Sequence, residues 1–157
     1  MSEAIDTAGS RARNTAPIDP EKSPGRVIAG RCSWRLDDRE MPVRAARKLT
    51  AEMLRSWTVG GEAEDAALLI VSELVSNALR YASPPIELAL TLIPGGAPGS
   101  REVLIEVMDA DPRLPAKRSP GESGGFGLPL VESLAKISFT TCGSGKTVRA
   151  LLITWDG

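Results

Sequence analysis

The stretch SELVSNALR, residues 72–80, is the segment that decides the fold of this chain. Glu73 and Asn77 lie four residues apart in an otherwise apolar run, so on a helix their side chains are about 40° apart and one turn displaced. A carboxylate and a carboxamide oxygen placed in this way can share one small target, such as a hydrated Mg²⁺ and the hydroxyl beside it, because hard cations take oxygen ligands. The alternative is that both are polar residues at the margin of an amphipathic helix.

Composition sets the class of protein around this segment. The chain has 157 residues, of which 42% are hydrophobic and 25% charged, as expected for one globular domain. Its net charge of −1 argues against direct nucleic-acid or membrane-surface binding, for which a basic face is expected. No apolar run reaches the roughly 18 to 20 residues that span a bilayer, and no signal peptide is recognisable, so a cytoplasmic location is expected.

The sequence contains no His, which excludes Ser-His-Asp and Cys-His catalysts and a kinase that phosphorylates its own histidine. Zinc sites of the usual type are not indicated either, because two isolated cysteines are the remaining soft ligands. Chemistry must therefore depend on carboxylates, a metal or bound phosphate.

The apolar pattern predicts a tail followed by one domain. Residues 1–26 are rich in Pro, Ser and Ala and are expected to be a disordered tail, and residues 27–157 form the domain. The first helix begins at Pro42, and the second is ended by Pro84-Pro85. The predicted elements are an edge strand 27–36, helices 42–57 and 62–83, a hairpin of strands 86–93 and 102–109, a loop 110–125, a helix from 127 or 128 to 135, and strands 137–142 and 147–154 around a turn 143–146.

Asp109 is the second candidate for a functional role. By the period-two rule it ends the apolar row Val103, Ile105 and Val107 of its strand. A carboxylate on a buried face is costly unless it finds a donor, and an adenine amino group is one candidate. A backbone or Arg partner within the protein is the other reading.

A glycine cluster, Gly124-Gly125-Phe126-Gly127-Leu128, precedes the third helix. Free backbone N–H groups at such a helix start, together with the helix dipole, attract phosphate, although a flexible loop before a helix has the same composition. The loop before it carries Arg113, Lys117 and Arg118, which either close over a polyphosphate or are simply solvated.

Gly145-Lys146-Thr147 does not form a Walker A loop, because the upstream glycine and the following helix are missing. A hairpin turn leading into a strand is the local interpretation. Thr147 matters to function only if its hydroxyl points to the same cleft as the other candidates.

The order of these motifs resembles the gyrase, Hsp90, histidine-kinase and MutL ATP-binding superfamily. The likeness extends over about residues 30–155 and is strongest to the anti-sigma serine-protein kinases and related single-domain actinobacterial ATP-binding regulators, whose Glu-Leu-Val-x-Asn-Ala motif matches residues 73–78. The resemblance implies an α+β fold, a two-layer α/β sandwich with a mixed, mainly antiparallel sheet and helices on one face.

The resemblance also implies residue roles and the cofactors ATP and Mg²⁺. Asn77 would be the metal ligand, and Glu73 would be the catalytic base or would orient the acceptor hydroxyl. Asp109 would accept from the adenine amino group, with Thr147 supporting that contact directly or through water. The phosphate-side turn would consist of Gly125, Gly127 and Leu128, with loop 110–124 as the ATP lid.

The function that the resemblance implies is an ATP-binding anti-sigma regulator with serine/threonine protein kinase activity. Its partners would be a sigma factor and an anti-anti-sigma protein of the STAS type, and a homodimer stays open. The alternative is a non-catalytic switch that binds nucleotide only to present a partner surface. An isolated ATPase fragment of the gyrase or chaperone type is a third reading, disfavoured by the short chain.

One departure from the family pattern keeps the switch alternative open. The fuller motif is Asp-x-Gly-x-Gly, whereas residues 109–113 read DADPR and lack both glycines. Close backbone approach to a nucleotide is restricted without them, and Asp111 adds negative charge near the phosphates.

Overall fold

The computed structural model describes residues 30–114 and 127–156. The predicted tail, the first residues of the predicted edge strand and most of the glycine-rich loop lie outside the described residues. The elements along the described chain are β1 (Arg31–Arg35), α1 (Pro42–Ser56), α2 (Gly61–Tyr81), β2 (Glu87–Pro94), β3 (Ser100–Asp109), α3 (Gly127–Leu134), β4 (Lys136–Cys142) and β5 (Gly145–Trp155).

The strands form one sheet in the order β1-β2-β3-β5-β4. Each neighbouring pair of described strands is antiparallel. The described helices pack on one face of this sheet, around a single apolar core. The predicted α+β sandwich is therefore confirmed, with antiparallel pairing throughout the described part of the sheet.

Helices α1 and α2 form where the sequence combines helical periodicity with clear end signals. Pro42 occupies the first turn of α1, where its missing N–H costs no hydrogen bond. Helix α2 ends at Tyr81, two residues earlier than the prediction, because the prolines at 84 and 85 cannot continue it. The buried positions of α2 recur at helical spacing and face the sheet: Ala67, Ile70, Val71, Leu74, Val75 and Ala78.

The helix-facing side of the sheet is built from alternate residues of its central strands. Burying one such apolar side chain contributes about 1.5 to 3 kcal/mol before the entropy of ordering is subtracted. The residues of this face in β2, β3 and β5 are Leu88, Leu90, Leu92, Val103, Ile105, Val107, Val148, Ala150 and Leu152.

The β4–β5 connection is shorter than the sequence pattern suggests. Strand β4 ends at Cys142 and β5 begins at Gly145, so the turn has two residues rather than the predicted four. Gly143 adopts a φ of 54°, a left-handed conformation that glycine takes without a steric penalty. The shorter turn moves Lys146 out of the turn and into strand β5.

Two backbone contacts bring the ends of several elements together. The Ala110 N–H, just after β3, donates to the Ser83 carbonyl, just after α2, over 2.9 Å. The start of β5 also lies against the end of β3. A Cβ added at Gly145 would stand only 2.3 Å from the Asp109 carbonyl oxygen, so a side chain has no room there. The end of β3, the end of α2 and the start of β5 therefore meet at one end of the domain.

Candidate nucleotide site

Glu73 and Asn77 lie on a flank of α2 that is turned away from α1. Helix α1 contacts the opposite flank, where Arg47 donates to Ser72 Oγ over 2.6 Å and to the Leu68 carbonyl over 3.2 Å. Those two positions are about 100° to 180° around the helix axis from Glu73 and Asn77. The flank that carries the Glu–Asn pair is therefore free of α1, and α2 packs against α3 as well.

The side chains of Glu73 and Asn77 are available to a ligand. Both residues are half-buried. Across residues 30–114 and 127–156, neither side chain takes part in a hydrogen bond or an ion pair. Half-buried polar groups can be hydrated by solvent, and two such oxygens side by side can also bind a group that the protein itself does not supply.

The oxygens of Glu73 and Asn77 suit a metal ion that is held partly by a ligand, such as Mg²⁺, better than an ion whose ligands all come from the protein. No cluster of three or more potential metal ligands occurs among the described residues. Mg²⁺ is commonly held by one or two protein oxygens together with substrate phosphates and water. Asn77 Oδ1, with Glu73 beside it, fits that pattern and would hold the ion only together with a phosphate-bearing ligand.

Asp109 occupies its predicted position at the end of β3, but its carboxylate is already bound. The side chain is 1% exposed, and Lys146 Nζ lies 3.0 Å from Oδ1 and 2.9 Å from Oδ2. Oδ1 also accepts from the Asp111 N–H over 2.8 Å. Of the two readings given by the sequence, the structure thus shows an internal partner, which is a lysine and a backbone N–H rather than an arginine.

Lys146 is the residue of this site that the sequence interpretation missed. It was assigned to a turn, yet it begins the buried row Lys146, Val148, Ala150 and Leu152 of β5. The alternation of that row carries the signal, because an unbroken period of two through 146 places the lysine on the apolar face. A buried ammonium requires a carboxylate partner, and Asp109 is its cross-strand neighbour.

Thr147 lies on the other face of the sheet from Asp109. In the β3–β5 register Thr147 pairs with Met108, while Asp109 pairs with Lys146. Adjacent strand residues point to opposite faces, so the structure does not bring the Thr147 hydroxyl to the Asp109 carboxylate. Direct support of that carboxylate by Thr147 is inconsistent with this register, and Lys146 occupies the position instead.

The segment after Asp109 is held by local charge pairs. Lys146 Nζ donates to the Asp111 carbonyl over 3.0 Å, and the Asp111 carboxylate binds the guanidinium of Arg113. Hydrogen bonds from the Arg113 side chain and then from its backbone N–H hold the pKa of Asp111 well below its usual range. Asp111 is therefore ionised and neutralised within the chain, so it repels an approaching phosphate less than a free carboxylate would.

The phosphate-side candidates fall partly within the described chain. Gly127 is the first residue of α3, and Leu128 packs against the apolar core. Gly125 and residues 115–124 of the predicted lid lie outside the described residues. Helix α3 contacts α2, and the phosphate-binding roles of Gly125, Gly127 and Leu128 stay predictions.

The antiparallel sheet, the helices on one face and the helix-borne Glu–Asn pair define an α+β domain of the histidine-kinase type. Residues 37–152 match the family model of the histidine kinase-like ATPase domain, and the chain belongs to that family. Among solved structures it is similar to the Acinetobacter baumannii histidine kinase AdeS, with a TM-score of 0.39, 11% identity and coverage of 85% of this chain and 71% of that one. No curated protein matches the chain.

Membership of this ATPase-domain family supports binding of ATP by the chain. The two ends of the candidate site differ in how ready they are for that ligand. Glu73 and Asn77, at the predicted metal end, have no protein partner among the described residues, whereas Asp109, the predicted acceptor of the base, is already bound by Lys146. No helix in the described ranges has both the length and the apolar character needed to cross a membrane.

Proposed function

We propose that the protein is an Mg-ATP-dependent anti-sigma regulator that phosphorylates a Ser or Thr of an anti-anti-sigma protein of the STAS type. The observation that supports this proposal is the carboxylate of Glu73 one helical turn from the amide of Asn77, both without a protein partner among the described residues, in a domain of the ATPase family. Cytoplasmic location, a sigma factor as second partner and a homodimer belong to the same proposal.

In the proposed reaction, the γ-phosphoryl group moves from ATP to the acceptor hydroxyl oxygen, with cleavage of the β–γ bridging bond and release of ADP. The bound Mg²⁺ would neutralise the charge of the phosphates. Asn77 Oδ1 would hold the ion, and the carboxylate of Glu73 would orient the hydroxyl and accept its proton. Positioning and charge neutralisation supply most of the catalysis in phosphoryl transfer, and Glu73 and Asn77 would contribute to both.

The experiment that tests the kinase proposal is transfer of label from γ-labelled ATP to a STAS-type partner that binds the protein. Glu73→Gln is expected to retain ATP and partner binding while transfer falls roughly 10²- to 10⁴-fold, the usual contribution of a general base. The matched control is Glu62→Gln, an exposed carboxylate in the first turn of the same helix. Equal transfer by Glu73→Gln and wild type would remove Glu73 from the reaction.

One observation favours a second candidate, the non-catalytic nucleotide switch. The acceptor Asp109 is buried and paired with Lys146, so nucleotide binding has to rearrange the base end of the site. Such a rearrangement is suited to signalling a bound state to a partner. ATP-dependent partner binding by wild-type protein without any label transfer would favour this switch over the kinase.

A further inference from the structure

The buried ion pair between Lys146 and Asp109 closes the base end of the candidate site. The Lys146 side chain is 8% exposed and that of Asp109 is 1% exposed, so water has almost no access to either charge. Lys146 approaches from β5 and Asp109 from β3, at directly paired positions of the sheet. The pair is thus fixed by strand register rather than by two flexible surface side chains.

Burial and the adjacent ammonium, rather than a lack of free lone pairs, keep another donor away from the Asp109 carboxylate. Asp109 Oδ1 accepts hydrogen bonds from Lys146 Nζ and from the Asp111 N–H, Nζ also lies 2.9 Å from Oδ2, and the Asp109 side chain is 1% exposed. The ammonium of Lys146 makes a further bond to the Asp111 carbonyl. An incoming amino group could therefore reach Asp109 only after Lys146 has withdrawn.

We propose that Lys146 is the affinity-determining residue of the base pocket, where its ammonium occupies the acceptor that would otherwise receive the amino group of an adenine base. This inference rests on the proposed nucleotide-binding function. The ammonium and the base amino group compete for one carboxylate, so the free energy of the internal ion pair is subtracted from that of nucleotide binding. Lys146 consequently lowers the affinity for adenine nucleotides and lowers the selectivity for the 6-amino group.

Release of Lys146 would also change the segment that follows β3. The same ammonium ties the Asp111 carbonyl to β5, while the Ala110 N–H ties the segment to the end of α2. A nucleotide that displaces Lys146 breaks the first of these ties and leaves the second in place. Occupancy of the base pocket is thereby linked to the conformation of the chain directly after Asp109.

The test compares ATP with purine riboside triphosphate, which has hydrogen in place of the 6-amino group, by calorimetry on the full chain. Lys146→Thr is the main variant, because it removes the ammonium that competes for Asp109 and its β-branched side chain suits a strand. Lys146→Ala is the second variant. Lys136→Ala, an exposed lysine of the adjacent strand β4, is the matched control.

The expected result is a gain of roughly ten-fold or more in ATP affinity for Lys146→Thr. This is the value of one charge-assisted hydrogen bond to Asp109, which the base amino group can form without first displacing the lysine. Purine riboside triphosphate should gain much less, and Lys136→Ala should bind both ligands as wild type does. The gain for ATP should vanish when Asp109→Asn is added to Lys146→Thr, since the contested acceptor is then altered.

Several outcomes would overturn the inference. Unchanged or weaker ATP binding by both Lys146 variants would show that the lysine does not compete with the base, and equal gains for the two ligands would show that it acts by bulk alone. In either case, measurable binding of ATP by the wild-type protein would still support the proposed nucleotide-binding function. Absence of nucleotide binding by wild type and all variants would overturn the proposed function together with the inference.

Discussion

Removal of the Lys146 charge should destabilise the fold more than removal of any exposed charge. Lys146→Met keeps the aliphatic stem but leaves the Asp109 carboxylate, 1% exposed, without a cationic partner. Breaking a buried pair from one side usually costs 3 to 5 kcal/mol, and we expect about 3 kcal/mol because the Asp111 N–H still bonds Oδ1. For a chain of 157 residues this corresponds to a fall in Tm of roughly 6 to 12 °C.

A second ion pair in the same sheet provides the matched control. Glu106 is bound by Arg149 on one side and by Arg31 on the other, and Arg149 is 33% exposed. Arg149→Met leaves Glu106 with its other arginine, so about 1 kcal/mol or less should be lost. The two Met variants thus remove one cation each from a buried carboxylate and differ in whether another cation remains.

Thermal and urea denaturation at pH 7, followed by circular dichroism, measures both variants. The double variant Lys146→Met with Asp109→Leu should recover most of the lost stability, because replacing both charges with apolar groups removes their desolvation penalty. A fall in Tm for Lys146→Met no larger than that for Arg149→Met, or no recovery in the double variant, would refute a buried and mutually dependent pair.

Two further predictions concern the metal end of the site and acid stability. Asn77→Ala should abolish the rise in ATP affinity that Mg²⁺ produces, whereas Ser76→Ala, at the neighbouring polar residue of α2, should retain it. Calorimetry with Mg²⁺ and with EDTA measures both variants. A preserved Mg²⁺ effect in Asn77→Ala would place the ion elsewhere. Hydrogen bonds from the Arg35 side chain and the Ile86 N–H lower the pKa of Asp37 from 3.8 to about 2, so this carboxylate stabilises the fold above about pH 4 and its contribution is lost as the pH falls towards 2. Asp37→Asn should therefore melt below wild type at pH 7 and together with it near pH 2, and a constant difference across that range would contradict the assignment.

The helices and the Glu–Asn pair of the site were predictable because local rules determine them. Apolar spacing, a proline at position 42 and the prolines after α2 fix where α1 and α2 begin and end. A spacing of four residues on an α-helix places the side chains of Glu73 and Asn77 on the same flank, independently of the rest of the chain. The alternation of strand residues likewise predicted that Asp109 ends a buried row.

The partner of Asp109 could not be obtained in the same way. The sequence left an adenine amino group and an internal donor open, and it placed Lys146 in a four-residue turn. The actual turn has two residues, so β5 begins at Gly145, and Lys146 is a strand residue that pairs with Asp109 in the β3–β5 register. Strand residues alternate between the two faces, so extending β5 back to residue 145 adds Lys146 to the buried row and leaves Thr147 on the other face.

The sequence by itself determined the element types and the helix flank that carries Glu73 and Asn77, because both follow from interactions between residues close along the chain. The two-layer architecture was predicted from the resemblance to a known superfamily. Only the tertiary structure decided that Asp109 is closed by Lys146 and that Thr147 faces away. Lys146 and Thr147 lie 37 and 38 positions from Asp109 along the chain. Their relation to Asp109 is set by the register of β3 against β5, which depends on the packing of the whole sheet against its helices.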